Sequence, residues 1–266
     1  MTSRGKAAGK KTTAAGKSSD NRAGKRWDRN KRVGARVPEL GYYLIVTDTE
    51  ETEKNYFEGL RDSIPAELKD RLVIKVEKAR TVELVKKALE MTGQESQYRI
   101  PWIVFDRDQV KDFDEIIQTA EKSGVGAGWS NPCFEIWMYA YFGEMPVIRE
   151  SFTCCDRFAQ KFEKITGQKY SKNDRSIYQK LVQHGDEKKA IQMAERCYKR
   201  CVEDGKRKPS EMWPACRVHR LVEEISRRSS WIALNIYSLD EIKSIYEKSE
   251  KQAKEIQEKV VSNYNN

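Results

Sequence analysis

The chain has 266 residues, of which 38% are hydrophobic and 34% are charged, and its formal net charge is +9 at pH 7. This length allows one large domain or two small ones. No apolar run approaches the roughly 18 residues that a transmembrane helix needs, and the basic N-terminus lacks the apolar core of a secretory signal. We therefore expect a cytoplasmic protein with no membrane partner.

The positive charge is concentrated in an N-terminal arm, residues 1–37. Residues 1–36 contain 12 Lys and Arg against 2 Asp, a net charge of +10, so the rest of the chain carries about −1. The arm has few large apolar groups to offset the entropy of ordering, and we expect it to be disordered when alone. It can bind nucleic acid through Lys25 and Arg26 with Trp27 stacking on a base, or it can serve only as a solubilising arm.

Apolar segments alternate with amphipathic ones between residues 42 and 130. These patterns predict strands at 42–47, 71–79, 101–106 and 125–130, with helices after Thr52 and at 81–92 and 110–124. The βαβαβαβ alternation is typical of a parallel sheet with helices on its faces. We therefore predict an α/β fold with a parallel four-stranded sheet, in which function collects at the carboxyl ends of the strands.

The pattern becomes helical after residue 130. Asn131 and Pro132 resemble a helix start, and further helices are predicted at 156–166, 173–183, 187–204, 214–228 and 238–258. We divide the chain into the arm, an α/β domain at 38–150 and a helical C-terminal region at 151–266. The last helix has mixed charge at helical spacing, typical of a surface or oligomerisation helix, so a homo-oligomer is one open arrangement.

The cysteines do not form the motifs of a metal or disulfide protein. None belongs to a CxxC pair, and we interpret them as reduced cytosolic thiols in preference to a zinc site or a disulfide framework. They are Cys133, Cys154, Cys155, Cys197, Cys201 and Cys216.

Acidic residues follow two of the predicted strands. Asp48 follows the first strand, and Asp106 and Asp108 follow the third. If these parallel strands are neighbours, about 4.8 Å apart, the carboxylates can converge at one edge of the sheet. Such hard oxygen ligands suit Mg²⁺ or Mn²⁺, which can activate water and orient a phosphodiester. The alternative for a single pair of Asp residues is a solvated strand end.

Other residues are candidates for the same site. Glu53 lies at the start of a predicted helix, where an acid also favours the helix dipole. Glu135 lies among apolar residues and needs a metal, a catalytic role or a salt-bridge partner. Arg107 and Lys111 can contact phosphate or neutralise the acids. A basic and aromatic segment further on is interpreted as a solvated helix face or a nucleic-acid contact; it contains Lys169, Tyr170, Lys172, Arg175 and Tyr178.

Four segments resemble the RloB-like family of Toprim proteins. They are "YLIVTDTEETEKNYFEGL" at 43–60, "IVFDRD" at 103–108, "SNPCFEIWMYAYF" at 130–142 and "RVHRLVEEI" at 217–225. An acid after the first strand with a DxD after the third is the signature of the Toprim fold, which topoisomerases, primases and several nucleases share.

The resemblance implies a Toprim-like fold and a Mg²⁺-dependent (or Mn²⁺-dependent) nuclease used in bacterial defence against phage by abortive infection. It implies Asp48 as acid/base or metal ligand, Asp106 and Asp108 as metal ligands, and Glu53 and Glu135 as further catalytic candidates. The target would be RNA, with tRNA as one candidate, or DNA. The implied protein partner is an ABC-type or overcoming-lysogenization-like ATPase encoded nearby.

One position departs from the family pattern. The family's first strand usually ends in Cys-Glu-Gly, whereas this chain has Thr47, Asp48 and Thr49. Asp is shorter than Glu by about 1.5 Å, and displacements near 1 Å can reduce a rate on the order of 100-fold. Three outcomes stay open: Asp48 acts directly, Glu50 or Glu53 supplies the carboxylate, or the protein is a catalytically silent subunit that binds an ATPase partner or nucleic acid.

Overall fold

The computed structural model describes residues 42–94, 99–108 and 110–234. The predicted disordered arm, with Lys25, Arg26 and Trp27, and the predicted terminal helix at 238–258 lie outside these ranges.

The described residues form strands and helices that alternate in the first half of the chain. The strands are β1 (Tyr43–Thr47), β2 (Leu72–Val76), β3 (Ile100–Asp106), β4 (Gly126–Asn131) and β5 (Ala215–Cys216). The helices are α1 (Thr52–Ser63), α2 (Glu83–Gln94), α3 (Phe113–Lys122), α4 (Glu135–Ala140), α5 (Ser151–Thr166), α6 (Ile177–His184), α7 (Glu187–Glu203) and α8 (Val218–Leu234). Short 3₁₀ helices span Ala66–Arg71 and Pro209–Glu211.

Within the described part of the chain, five strands form one sheet in the order β2-β1-β3-β4-β5. The first four strands are parallel, which confirms the predicted α/β fold. The predicted four-stranded sheet lacked one strand that the structure adds: β5 is an antiparallel edge strand with Cys216 opposite Ser130. A two-residue strand is too short to show a sequence period, and these residues fell within the helix predicted at 214–228. In the structure that helix, α8, begins only at Val218.

The helix start predicted at Asn131 was also wrong. Asn131 is the last residue of β4 and is fully buried, and α4 begins only at Glu135. The Asn131 side-chain amide donates a hydrogen bond to the Pro209 carbonyl at 3.0 Å, so it ties the end of β4 to the loop before β5 instead of capping a helix.

The central strands are buried on both faces, as expected for a parallel sheet covered by helices. In β1, Tyr43 and Ile45 join a core with α1 and α4–α8, whereas Leu44 and Val46 join a second core with α2 and α3. Each fully buried large apolar side chain contributes about 1.5–3 kcal/mol. The first core extends to Ile225, so residues of the predicted α/β domain and helical region pack together.

Most of the described helices have one apolar face and one polar face. Among the described residues, no helix is both long and apolar enough to cross a bilayer.

Candidate metal centre at the carboxyl ends of the strands

The ends of β1 and β3 lie side by side in the sheet. Thr47 is opposite Val104 in the parallel register, and the Asp48 amide donates to the Val104 carbonyl at 3.4 Å. The strands are therefore the neighbours that the predicted convergence required, and Asp48 and Asp106 share the carboxyl edge of the sheet.

The turn after β3 is held by the neighbouring strand. The Arg107 amide donates to the Ser130 carbonyl at 2.8 Å, and the Asp108 amide donates to the Pro132 carbonyl at 3.0 Å. These bonds continue the β3–β4 pairing beyond Asp106. The turn leaves the Asp108 side chain exposed beside the partly buried Asp106.

Two helices bring further carboxylates to the same edge. Glu53 is in the first turn of α1 and Glu135 is in the first turn of α4, and both are buried. Glu53 precedes Tyr56 by three residues, so the two side chains lie on the same face of the helix. Tyr56 packs edge-on against Phe134 with ring centroids 5.4 Å apart, and its hydroxyl is 2.7 Å from that of Tyr141. This aromatic contact fixes the two helix starts together.

The two buried glutamates have different hydrogen-bond partners. Glu53 accepts a hydrogen bond from the Thr49 hydroxyl. Glu135 accepts one from the Tyr170 hydroxyl at 2.9 Å, and the Lys172 ammonium lies 3.7 Å from the same oxygen. The basic and aromatic segment predicted near residue 170 therefore supplies two contacts to the site.

We call Asp48, Glu53, Asp106, Asp108 and Glu135 the acidic site, because their charges act on one another. Burial raises the pKa of Asp48 to about 6, with Arg80 opposing the rise and Asp108 adding to it. Burial and then the charge of Asp48 raise the pKa of Glu53 to about 7. Burial, followed by the charges of Glu53 and Asp48, raises the pKa of Asp106 well above its usual value. The fully ionised site is therefore unfavourable unless a cation balances it.

The donor set of the acidic site fits a hard divalent cation. Asp48 Oδ1 is buried and has no hydrogen-bond partner among the residues that the structure describes. A buried carboxylate oxygen without a donor is costly, and a bound cation would satisfy it. Asp48, Asp106 and Asp108 offer the carboxylate oxygens that Mg²⁺ and Mn²⁺ prefer.

Basic side chains that the sequence reasoning missed line a cleft beside Asp48. The Arg80 guanidinium lies 3.9 Å from Asp48 Oδ2. Lys78 and Arg80 line a cleft of about 510 Å³ together with the acids Asp48, Glu50 and Glu51. Their position in the sequence could have indicated this, because Lys78 and Arg80 follow β2 and therefore reach the same edge of the sheet as Asp48.

Arg107 and Lys111, the predicted phosphate contacts, lie in the loop before α3. Arg107 donates to the Val110 carbonyl at 2.9 Å, and its guanidinium carbon is 5.8 Å from the centroid of the Phe113 ring. These contacts support the loop. Lys111 is exposed. Glu50, the alternative carboxylate donor, is exposed and lies 3.2 Å from the Lys78 ammonium.

Together the fold and the acidic site define an α/β protein with a carboxylate-rich candidate metal centre at the carboxyl edge of a mostly parallel sheet. The family model of RloB-like proteins matches residues 43–225, which is more than half of the chain. The chain therefore belongs to the RloB-like family, as the four sequence segments indicated. No curated protein and no solved structure matches the chain.

Proposed function

We propose that this RloB-like protein is a Toprim-type, metal-dependent nuclease that acts as the effector of a bacterial phage-defence system. Its reaction would be phosphodiester hydrolysis in RNA, with tRNA as one candidate, or in DNA. The observation that carries the proposal is the convergence of Asp48 with Asp106 and Asp108 on neighbouring strand ends, with one Asp48 oxygen buried and lacking a donor among the described residues.

The residues of the acidic site divide into two roles. Asp48, Asp106 and Asp108 would hold Mg²⁺ or Mn²⁺, which when bound supplies activation of water and stabilisation of charge at the phosphate. Glu53 suits general acid/base work, because its pKa of about 7 lets it take up and release a proton near neutral pH. Glu135 is held by Tyr170 and would keep Glu53 and Asp106 in a negative environment.

The two basic side chains of the cleft would bind the substrate. Lys78 and Arg80 line the cleft next to Asp48, where their side chains can contact phosphate oxygens. Phosphate contacts of this kind position a nucleic acid without reading its sequence. The proposal includes an ABC-type or overcoming-lysogenization-like ATPase as the controlling partner, and action in the cytoplasm.

The test is a cleavage assay with purified full-length protein, alone and with the neighbouring ATPase, on RNA and DNA substrates. We expect cleavage with Mg²⁺ or Mn²⁺ and none with a chelator. The double variant Asp106→Asn/Asp108→Asn should be inactive, and the exposed α2 variant Glu90→Gln should match the wild type. Absence of cleavage under all these conditions, or equal cleavage by the double variant, would contradict the proposal.

A second function is favoured by one contact. Arg80 lies 3.9 Å from Asp48 and partly neutralises it without any metal. In that case the protein is a catalytically silent Toprim-like subunit that binds its ATPase partner or nucleic acid. Binding of nucleic acid that persists with a chelator present, together with no cleavage by the ATPase complex, would favour this function over the nuclease.

A further inference from the structure

Two cysteine side chains and one carboxylate meet on the side of Glu135. The Sγ atoms of Cys133 and Cys155 and a carboxylate oxygen of Glu135 all lie within 4.8 Å of one another. Cys133 and Glu135 are buried, and Cys155 is partly exposed. We call these three residues the thiol site.

Local contacts hold the two cysteines together. Cys133 precedes α4 and Cys155 lies in the second turn of α5, 22 residues later. The Ser151 hydroxyl donates to the Pro132 carbonyl at 3.2 Å, and the Cys133 thiol lies 3.8 Å from the Ser151 carbonyl. These two side-chain-to-backbone contacts join the start of α5 to the segment that carries Cys133.

The sulfur–sulfur distance is compatible with tetrahedral coordination. The sulfur atoms of Cys133 and Cys155 are 3.9 Å apart. Two thiolates on a tetrahedral zinc ion, each about 2.3 Å from the metal, are separated by about 3.8 Å. The thiol site thus already has the sulfur spacing of a zinc centre, with a carboxylate oxygen on its third side.

We propose that Cys133, Cys155 and Glu135 bind a borderline-soft divalent cation of the zinc class. Thiolate ligands select such a cation over Mg²⁺, which prefers oxygen ligands. Three protein ligands leave the fourth position for water, which can reach it past the partly exposed Cys155. The sequence interpretation treated all six cysteines as simple thiols because none forms a CxxC pair. The thiol site departs from that interpretation, because it joins cysteines from two separate segments.

Binding has a defined proton balance. The contact with Cys154, followed by burial, raises the pKa of Cys133, and the contact with Cys133, followed by burial, raises that of Cys155. Both therefore start as thiols, and each releases one proton to solvent as its sulfur–metal bond forms. Lys172, which lies near Glu135, is half exposed, so its ammonium can turn toward water when a cation binds.

The thiol site goes beyond the proposed nuclease and does not depend on it. The two sites share Glu135, whose charge also acts on Glu53 and Asp106. A direct readout of sulfur coordination separates them, since the aspartates of the acidic site contribute no sulfur ligand.

The test uses full-length protein, reduced and stripped of metal, titrated with Co²⁺ as a spectroscopic substitute for Zn²⁺. We expect a thiolate-to-cobalt charge-transfer band that Zn²⁺ abolishes by displacement. Cys155→Ser and Cys133→Ser should each lose at least half of the band intensity, whereas Cys197→Ser, a matched change in α7, should keep all of it. The double variant Asp106→Asn/Asp108→Asn should also keep the band, even if it abolishes cleavage.

Melting temperatures measured with and without Zn²⁺ show whether a variant loses the band because it fails to fold. Zn²⁺ should raise the melting temperature of the wild type and of Cys197→Ser but not that of Cys155→Ser, whose changed residue is partly exposed and tolerant of serine. A wild-type protein with no charge-transfer band, or a band that both Cys133→Ser and Cys155→Ser retain in full, would overturn the proposal.

Discussion

Two acidic regions of this protein have opposite electrostatic designs. In the acidic site, Glu53 faces other carboxylates and its pKa rises to about 7. In the second region, Glu195 on α7 is surrounded by basic side chains, namely Lys199, Arg217, His219 and Arg220. Burial opposes ionisation of Glu195, but the hydrogen bond from His219 and the charge of Arg220 lower its pKa.

The difference separates a balanced ion cluster from a group of carboxylates that a bound cation could balance. Cations of the chain itself balance Glu195, and its bonds tie α7 to the start of α8. The acidic site keeps an unbalanced negative charge, with Arg80 and Lys172 at its margins. Strongly shifted pKa values that arise from burial together with like charges are typical of functional sites.

The largest expected effect is on metal binding by the acidic site. Asp106→Asn removes a carboxylate that burial and four neighbouring acids destabilise. We expect Mn²⁺ affinity to fall about 1,000-fold, because the metal loses a charged ligand worth several kcal/mol. Calorimetry with Mn²⁺ checks this, with Glu90→Gln as the control. Equal Mn²⁺ binding by Asp106→Asn and the wild type would contradict the assignment of the acidic site as a metal centre.

The next effect concerns stability against pH in the absence of divalent metal. Burial, followed by the charge of Asp48, raises the pKa of Glu53 from its ordinary value of 4.5 to about 7 in the folded state. Between these two pH values the folded state retains a proton that the unfolded state has released. Stability therefore falls as the pH rises from about 4.5 to 7, by up to about 3 kcal/mol. Urea denaturation at several pH values measures it.

The matched variant for the pH experiment is Glu53→Gln, which cannot ionise. We expect its stability to fall less over the same pH window than that of the wild type, and added Mn²⁺ to reduce the fall in the wild type. A slope that is the same in Glu53→Gln and in the wild type would show that Glu53 does not carry the effect.

Removing a carboxylate should change the free energy of unfolding in opposite directions in the Glu195 cluster and in the acidic site. Glu195→Gln leaves Arg217 and Arg220 without their carboxylate, and we expect a loss of about 1–2 kcal/mol in the free energy of unfolding at pH 7. Asp106→Asn without metal should instead be neutral or stabilising, because it removes a repelled charge. Denaturation of both variants side by side checks this, and destabilisation by both to the same extent would remove the contrast.

The smallest effect distinguishes the carboxylates near β1. Glu50→Gln should change the cleavage rate less than about threefold, because Glu50 is exposed and pairs with Lys78, and surface pairs contribute little. Asp48→Asn should abolish cleavage, because Asp48 is buried next to Asp106. Rate constants for the two variants decide between Asp48 and Glu50 as the functional acid, and the reverse order would reassign the role.

Much of the site was visible in the sequence. Asp48, Asp106 and Asp108 could be identified because each follows an apolar strand pattern, and parallel strands bring their carboxyl ends to one edge. Glu53 and Glu135 stood out through their helix-start position and apolar surroundings. Arg80 also follows a strand, but its local sequence does not distinguish it from other surface cations, and its contact with Asp48 is seen only in the structure.

The sequence by itself determined the α/β alternation, the candidate acids and the family, because periodicity, residue type and motif spacing are local properties of the chain. The tertiary structure decided what long-range contacts control. It placed β1 next to β3, added β5 beside β4 from 84 residues away, and brought Cys155 against Cys133. Contacts between distant segments depend on how helices and strands pack in three dimensions, and no local pattern encodes that packing.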